Sequence, residues 1–96
     1  MKLKNINKIT VIGSGLMGSQ IGMVCALAGY EVTINDISQE QLDDAKATLV
    51  KLMDRRVEKN RLTKEENTSA FERLHFSTDL EVAVKDADYI IEAIVE

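Results

Sequence analysis

The sequence has no proline, a single cysteine and no apolar run of the length a membrane span requires. One cysteine, Cys25, excludes an internal disulfide and fits a reducing compartment. It lies within a helical pattern and reads as a small buried apolar residue rather than a reactive thiol. The N-terminal stretch MKLKNINKIT carries two early lysines but no apolar h-region, so it is not a secretory signal. A cytoplasmic protein is expected, with no membrane partner. An excess of positive charge is also lacking. Twelve Lys and Arg stand against 16 Asp and Glu, for a formal net charge of -4, which argues against a nucleic-acid partner. No linker, repeat or low-complexity tract interrupts the chain.

What remains is the balance of a soluble globular domain, 45% hydrophobic and 29% charged over 96 residues. KITVIG reads as a short buried strand, rich in β-branched residues and ended by Gly13. A helix follows, with Met17, Ile21, Val24 and Ala28 spaced to share an apolar face. Gly29 is placed to end it in the left-handed conformation. EVTIND is the second strand. Ser38 and Gln41 then form a capping-box pattern ahead of a helix whose apolar face is Leu42, Ala45, Leu49, Leu52 and Met53, running to about Asn60. Thr63 and Glu66 form another, predicting a shorter helix from Lys64 to about Arg73. LHFS is a brief third strand. Thr78 and Glu81 repeat the capping pattern before a short helix holding Leu80, Ala83, Val84 and Ala87. ADYIIEAIVE is a fourth strand, apolar almost throughout, as a strand covered on both faces would be.

Strands that alternate with helices imply right-handed crossovers and a parallel sheet. The expected strand order is 3-2-1-4.

The stretch VIGSGLMG places Gly13, Gly15 and Gly18 in the spacing G-x-G-x-x-G, between a strand and a helix of one βαβ unit. That context points to a dinucleotide site in a Rossmann-type fold. Gly13 turns the chain sharply out of the strand. Gly15 has no side chain to keep a pyrophosphate from the backbone. Gly18 lets the helix pack closely. The helix N-terminus offers free N–H groups and the positive end of its dipole to the phosphates. Asp36 ends the second strand near the expected spacing, about twenty residues on. A carboxylate there accepts hydrogen bonds from an adenosine ribose and repels a 2′-phosphate, so NAD is expected rather than NADP. The competing reading is a glycine-rich turn with an Asp that only caps the next helix.

VIGSGLMGSQIG, AGYEVTINDIS, RLTKEE, FSTDLE and DADYIIEAIVE together resemble the NAD-binding domain of 3-hydroxyacyl-CoA dehydrogenases, the bacterial 3-hydroxybutyryl-CoA dehydrogenases above all. The resemblance covers the chain from about Ile9 to Glu96. It implies an oxidoreductase that oxidises the 3-hydroxyl of an acyl-CoA and passes hydride to NAD. It implies that the backbone from Gly13 to Gly18, notably at Leu16 and Met17, lies against the pyrophosphate, and that Asp36 holds the adenine ribose. It places Ala93 and Glu96 near the nicotinamide-side ribose. It also implies a basic grip on the phosphates of CoA, for which Lys59 and Arg61 are the candidates. They sit in a stretch with a local basic excess, which either steers a polyanion or is a solvated helix face. Asp54 falls where many members carry a serine.

The His–Glu catalytic pair of that family matches no position in this sequence. His75, in the third strand, reads as a surface histidine. The chain is therefore expected to be a partial NAD-binding domain, residues 1–96 with no second domain, binding the adenosine and pyrophosphate of NAD without turnover. An exposed fourth strand then predicts self-association. Two other readings stay open: a related sugar-acid dehydrogenase, and a non-catalytic nucleotide-binding or self-assembling module.

Overall fold

A computed structural model describes residues 5–94. The elements follow in the order β1 (Lys8–Ile12), α1 (Leu16–Leu27), β2 (Glu31–Asn35), α2 (Gln39–Glu58), α3 (Lys64–Glu72), β3 (Leu74–Ser77), α4 (Leu80–Lys85) and β4 (Tyr89–Glu92). The strands form one sheet in the order β3-β2-β1-β4. Every pairing is parallel, with Val11 opposite Ile34 and Ile91, and Val32 opposite Leu74. Fold class and strand order are those expected from the sequence.

The sheet's two faces differ. Ile9, Val11, Val32 and Ile34 bury themselves against α1, α2 and α3, in a core completed by Met23, Leu42, Leu49 and Met53. Side chains alternate along a strand, so Thr10 points the other way. Its hydroxyl donates to the Ala83 carbonyl of α4. At the start of the sheet, one oxygen of Asp88 accepts from the N–H groups of Asn7 and Lys8, at 2.8 and 3.0 Å, and ties the entry of β4 to that of β1.

The helix boundaries have local causes. Ser38 caps α2 by accepting from the Gln41 N–H. Thr63 and Glu66 form the full reciprocal box on α3. Gly29 at φ 103° ends α1, with Gly29 N–H donating to Ala26 and Tyr30 N–H to Cys25. Asn60 at φ 57° ends α2 by the same pair of bonds, from Asn60 to Val57 and from Arg61 to Arg56. Both are Schellman turns, one built on Gly and one on Asn.

Three expectations are corrected. The apolar face read for α1 is not the buried one. Met17 and Val24 are each 61% exposed, and Gly18, Ser19, Gly22, Met23 and Ala26 face inward. The reason is distance: a Cβ on Gly22 would lie 2.8 Å from Ile34 Cδ1, so α1 rides close on the sheet and small residues make the contact. The cap of α4 is Asp79, not Thr78, since Asp79 accepts from the Val82 N–H. Finally, β4 is not covered on both faces. Tyr89 and Ile90, and Ile94 just past the strand, are exposed: β4 is the edge of the described sheet and only β1 pairs with it, which agrees with the expectation of an exposed fourth strand. Cys25 is half-buried, and that burial pushes its thiol up.

Candidate functional site

The turn from β1 into α1 is packed backbone against backbone. Gly13 has φ 106°, which strains any residue with a Cβ, and a Cβ there would lie 2.8 Å from the Ala93 carbonyl oxygen. A Cβ on Gly18 would sit 2.0 Å from the Gly13 carbonyl oxygen and 3.4 Å from Ala93 Cβ. The closest approach Gly18 permits is thus between α1 and the turn itself, beside the end of β4. At Gly15 the opposite holds. Nothing lies within 4 Å of where its Cβ would be. Ser19 braces the loop from below, its hydroxyl 2.7 Å from the Ser14 carbonyl and 2.9 Å from that of Gly15.

Gly15 is also the N-cap of α1, so this helix has no capping side chain and no acidic residue in its first turn. The first helical bond runs from the Ser19 N–H to the Gly15 carbonyl. The N–H groups of Leu16, Met17 and Gly18 therefore precede the intrahelical ladder. They carry the positive end of the helix dipole toward the open space over Gly15. The side chains of Leu16 and Met17 are exposed at this end.

Asp36 leaves β2 beside this loop. Its Oδ2 accepts from the Ser14 hydroxyl at 2.8 Å and the Ser14 N–H at 3.2 Å, and its Oδ1 from the Ser38 N–H at 3.0 Å. Partial burial pushes the carboxyl up. Hydrogen bonds from the N–H of Ser38, the hydroxyl and N–H of Ser14 and the N–H of Ile37 outweigh it, and hold Asp36 below the usual carboxylate range. The strand ends are tied together around it. Gly13 N–H donates to the Asn35 carbonyl at 2.8 Å, and the buried Asn35 amide donates to the Ser77 carbonyl at 3.0 Å.

These pieces line a cleft of about 350 Å³ at the carboxyl ends of β1, β2 and β4. Gly13, Ser14 and Gly15 form one wall, Asp36 and Ile37 a second, Ala93 and Ile94 a third. The sequence reading missed Ser14, Ile37 and Ile94. Ile37 is 93% exposed although it is a large apolar residue, and Ile94 is also exposed. A signal for Ile37 was its place directly after the strand-ending Asp. The structure brings Gly13, Gly15, Leu16, Met17, Gly18, Asp36 and Ala93 to one end of the sheet. Glu96 lies outside the described residues. Lys59 and Arg61 are exposed past the far end of α2, a helix of 20 residues and so about 30 Å long, which begins at Ser38 beside Asp36. They do not join the cleft. His75 is a surface histidine, but it has a partner that its own strand could not reveal: Nε2 lies 3.0 Å from Glu31 Oε2 on β2.

Free N–H donors over a glycine floor, an ionised carboxylate one strand away and apolar walls beside it suit a pyrophosphate joined to a ribose and a flat apolar base. Comparison with known proteins agrees. Residues 8–96 match the family model for the 3-hydroxyacyl-CoA dehydrogenase, NAD binding domain. A probable 3-hydroxybutyryl-CoA dehydrogenase of Deinococcus radiodurans is 42% identical over 89 residues, covering 93% of this chain and 31% of its own length. The crystal structure of Mycobacterium tuberculosis FadB2 superposes with a TM-score of 0.90 at 36% identity, over 95% of this chain and 32% of that one. The 3-hydroxybutyryl-CoA dehydrogenase structure from Escherichia coli K12 gives 0.91 at 37% identity, over 96% of this chain and 19% of that one. The chain thus spans about a third or less of the length of these relatives. Within that span it belongs to the NAD-binding domain family of the 3-hydroxyacyl-CoA dehydrogenases, whose cofactor is NAD.

Proposed function

We propose that this chain grips the adenosine and pyrophosphate of NAD, within a protein that interconverts 3-hydroxyacyl-CoA and 3-oxoacyl-CoA. The observation that carries this reading is the N-terminus of α1, with no side-chain cap over an open Gly15 and with Asp36 beside it. Bound NAD supplies the hydride acceptor for the 3-hydroxyl carbon. The residues of this chain bind and orient it. The N–H groups of Leu16, Met17 and Gly18 receive the pyrophosphate. Asp36 takes the adenine ribose, and Ile37 and Ile94 form the apolar sides of the base subsite. Ala93 and, from outside the described residues, Glu96 are assigned to the nicotinamide-side ribose. An ionised Asp36 favours NAD over NADP, since a 2′-phosphate brought against it meets like charge.

Lys59 and Arg61 are proposed for the phosphates of CoA. Their place past the far end of α2 makes that grip separate from the cofactor cleft. The unpaired edge of β4 in the described sheet, with Tyr89 and Ile90 exposed along it, favours a further strand beside it, from the same polypeptide or a second copy. Size-exclusion chromatography across a concentration series tests the second copy.

The test of the cofactor reading is calorimetric titration with NAD, NADP and AMP, with Asp36→Ala alongside. NAD and AMP are expected to bind, and NADP more weakly. Asp36→Ala should cost NAD about tenfold, the loss of a charge-assisted hydrogen bond, and abolish the preference over NADP. Folded protein that binds neither NAD nor AMP would contradict the reading.

A further inference from the structure

Asp36 stands half-buried on the turn after β2, where an unheld carboxylate would swing among rotamers. Here protein donors hold it: the Ser14 hydroxyl at 2.8 Å and the Ser14 N–H at 3.2 Å on Oδ2, the Ser38 N–H at 3.0 Å on Oδ1, and the Ile37 N–H beside them. Two of these donors come from Ser14, a residue only 3% exposed. Ser14 is itself immobilised, because the Ser19 hydroxyl lies 2.7 Å from its carbonyl and it stands between Gly13 and Gly15 in the tightly packed turn. Both Ser14 donors go to Oδ2, so Ser14 fixes one oxygen of the carboxylate while the Ser38 N–H holds the other.

We propose that Ser14 is a positioning residue for cofactor recognition, latching Asp36 to the glycine turn so that its carboxylate meets the adenine ribose and its charge stays where a 2′-phosphate would lie. This rests on the cofactor reading above. A carboxylate free to rotate away could admit the larger, charged ribose of NADP; one clamped from beneath cannot. The latch also joins the two halves of the site. The same residue that links the strand to the phosphate-facing turn fixes the group that reads the sugar. The glycine spacing alone does not provide this, since it is the hydroxyl on the residue between Gly13 and Gly15 that makes the shorter bond.

A double-mutant cycle separates this role from a structural one. NAD and NADP affinities are measured by calorimetry for the unaltered protein, Ser14→Ala, Asp36→Ala and the double variant. Circular dichroism checks that each is folded. Ser14→Ala is expected to weaken NAD roughly threefold to tenfold and to narrow the preference over NADP, the size of one coupled contact. On the Asp36→Ala background the same substitution should change neither affinity. A loss of equal size on both backgrounds would show that Ser14 only shapes the turn, and would overturn the proposal. So would unchanged affinity and preference in Ser14→Ala alone. Should Ser14→Ala not fold, Ser14→Gly removes the same hydroxyl and carries the same expectations. Absence of NAD binding by the unaltered protein, or an Asp36→Ala variant that binds like it, would refute the cofactor reading itself and this proposal with it.

Discussion

Among the described residues, three helices begin alike and one does not. α2, α3 and α4 start at Ser38, Thr63 and Asp79, and in each the side chain accepts from a backbone N–H in the first turn. α2, α3 and α4 also carry Glu40, the pair Glu65 and Glu66, and Glu81 in their first turns. These helices satisfy their own N-termini and complement their own dipoles. α1 starts at Gly15 with neither device. With Gly in place of Ser, Thr or Asp at its N-cap, α1 gives up only a few tenths of a kcal/mol, about 0.3, of capping. The difference teaches where this chain is built for stability and where for a ligand, and each prediction below tests that division.

The largest effect is expected from Gly18→Ala. Its Cβ would meet the Gly13 carbonyl oxygen at 2.0 Å, and a backbone atom in a packed turn has little room to give. Thermal or urea unfolding should report a loss of about 2–3 kcal/mol, with NAD binding lost as the turn shifts. A smaller effect belongs to an ordinary cap. Thr63→Ala removes the acceptor for the Glu66 N–H at 3.1 Å and should cost about 1 kcal/mol in urea titration. NAD affinity should not change, because α3 begins away from the cleft. Affinity that fell with this cap would break the division between the two kinds of helix start.

The smallest effect concerns pH. Asp36 is held below the usual carboxylate range, so its contribution to stability is present above that range and is lost as pH falls through its own lowered value. The residue stays ionised down to about pH 5. NAD affinity measured from pH 7 to pH 5 should therefore be nearly flat. A steep decline within that window would mean that Asp36 takes up its proton earlier than its hydrogen bonds allow.

Much of this was legible in the sequence. The glycine spacing, the alternation of strands and helices, the caps at Ser38 and Thr63 and the stop at Gly29 each act through neighbours a few residues away, and such signals survive in a linear reading. The failures share a cause, which is distance along the chain. Met17 and Val24 fit the helical period, but the inward face of α1 is set by its close approach to β2, and Gly22 meets Ile34 there. His75 finds Glu31 only when β3 lies beside β2. β4 has the composition of a covered strand, yet within the described sheet only β1 flanks it. In the site, Gly13, Gly18 and Asp36 announced themselves by type and spacing. Ser14 did not, because its bond to Asp36 spans 22 residues and a serine beside a glycine has many local uses. Ile37 has no polar group to mark it as a ligand contact. Its exposure gives it away only in three dimensions.

The account stands or falls on what the open end of α1 is for, and Gly15→Ala asks this with one methyl group. Gly15 has φ -59° and ψ -178°, which alanine adopts without strain, and nothing lies within 4 Å of the added Cβ. Stability in urea should change by less than about 1 kcal/mol, the stiffer unfolded chain offsetting the poorer N-cap that Ala makes. NAD affinity, measured by calorimetry on the same sample, should fall at least tenfold, roughly the cost of 1.4 kcal/mol of lost contact, because the methyl group occupies the space assigned to the pyrophosphate. A variant equally stable that binds NAD as well as the unaltered protein would contradict the claim that the pyrophosphate lies over Gly15.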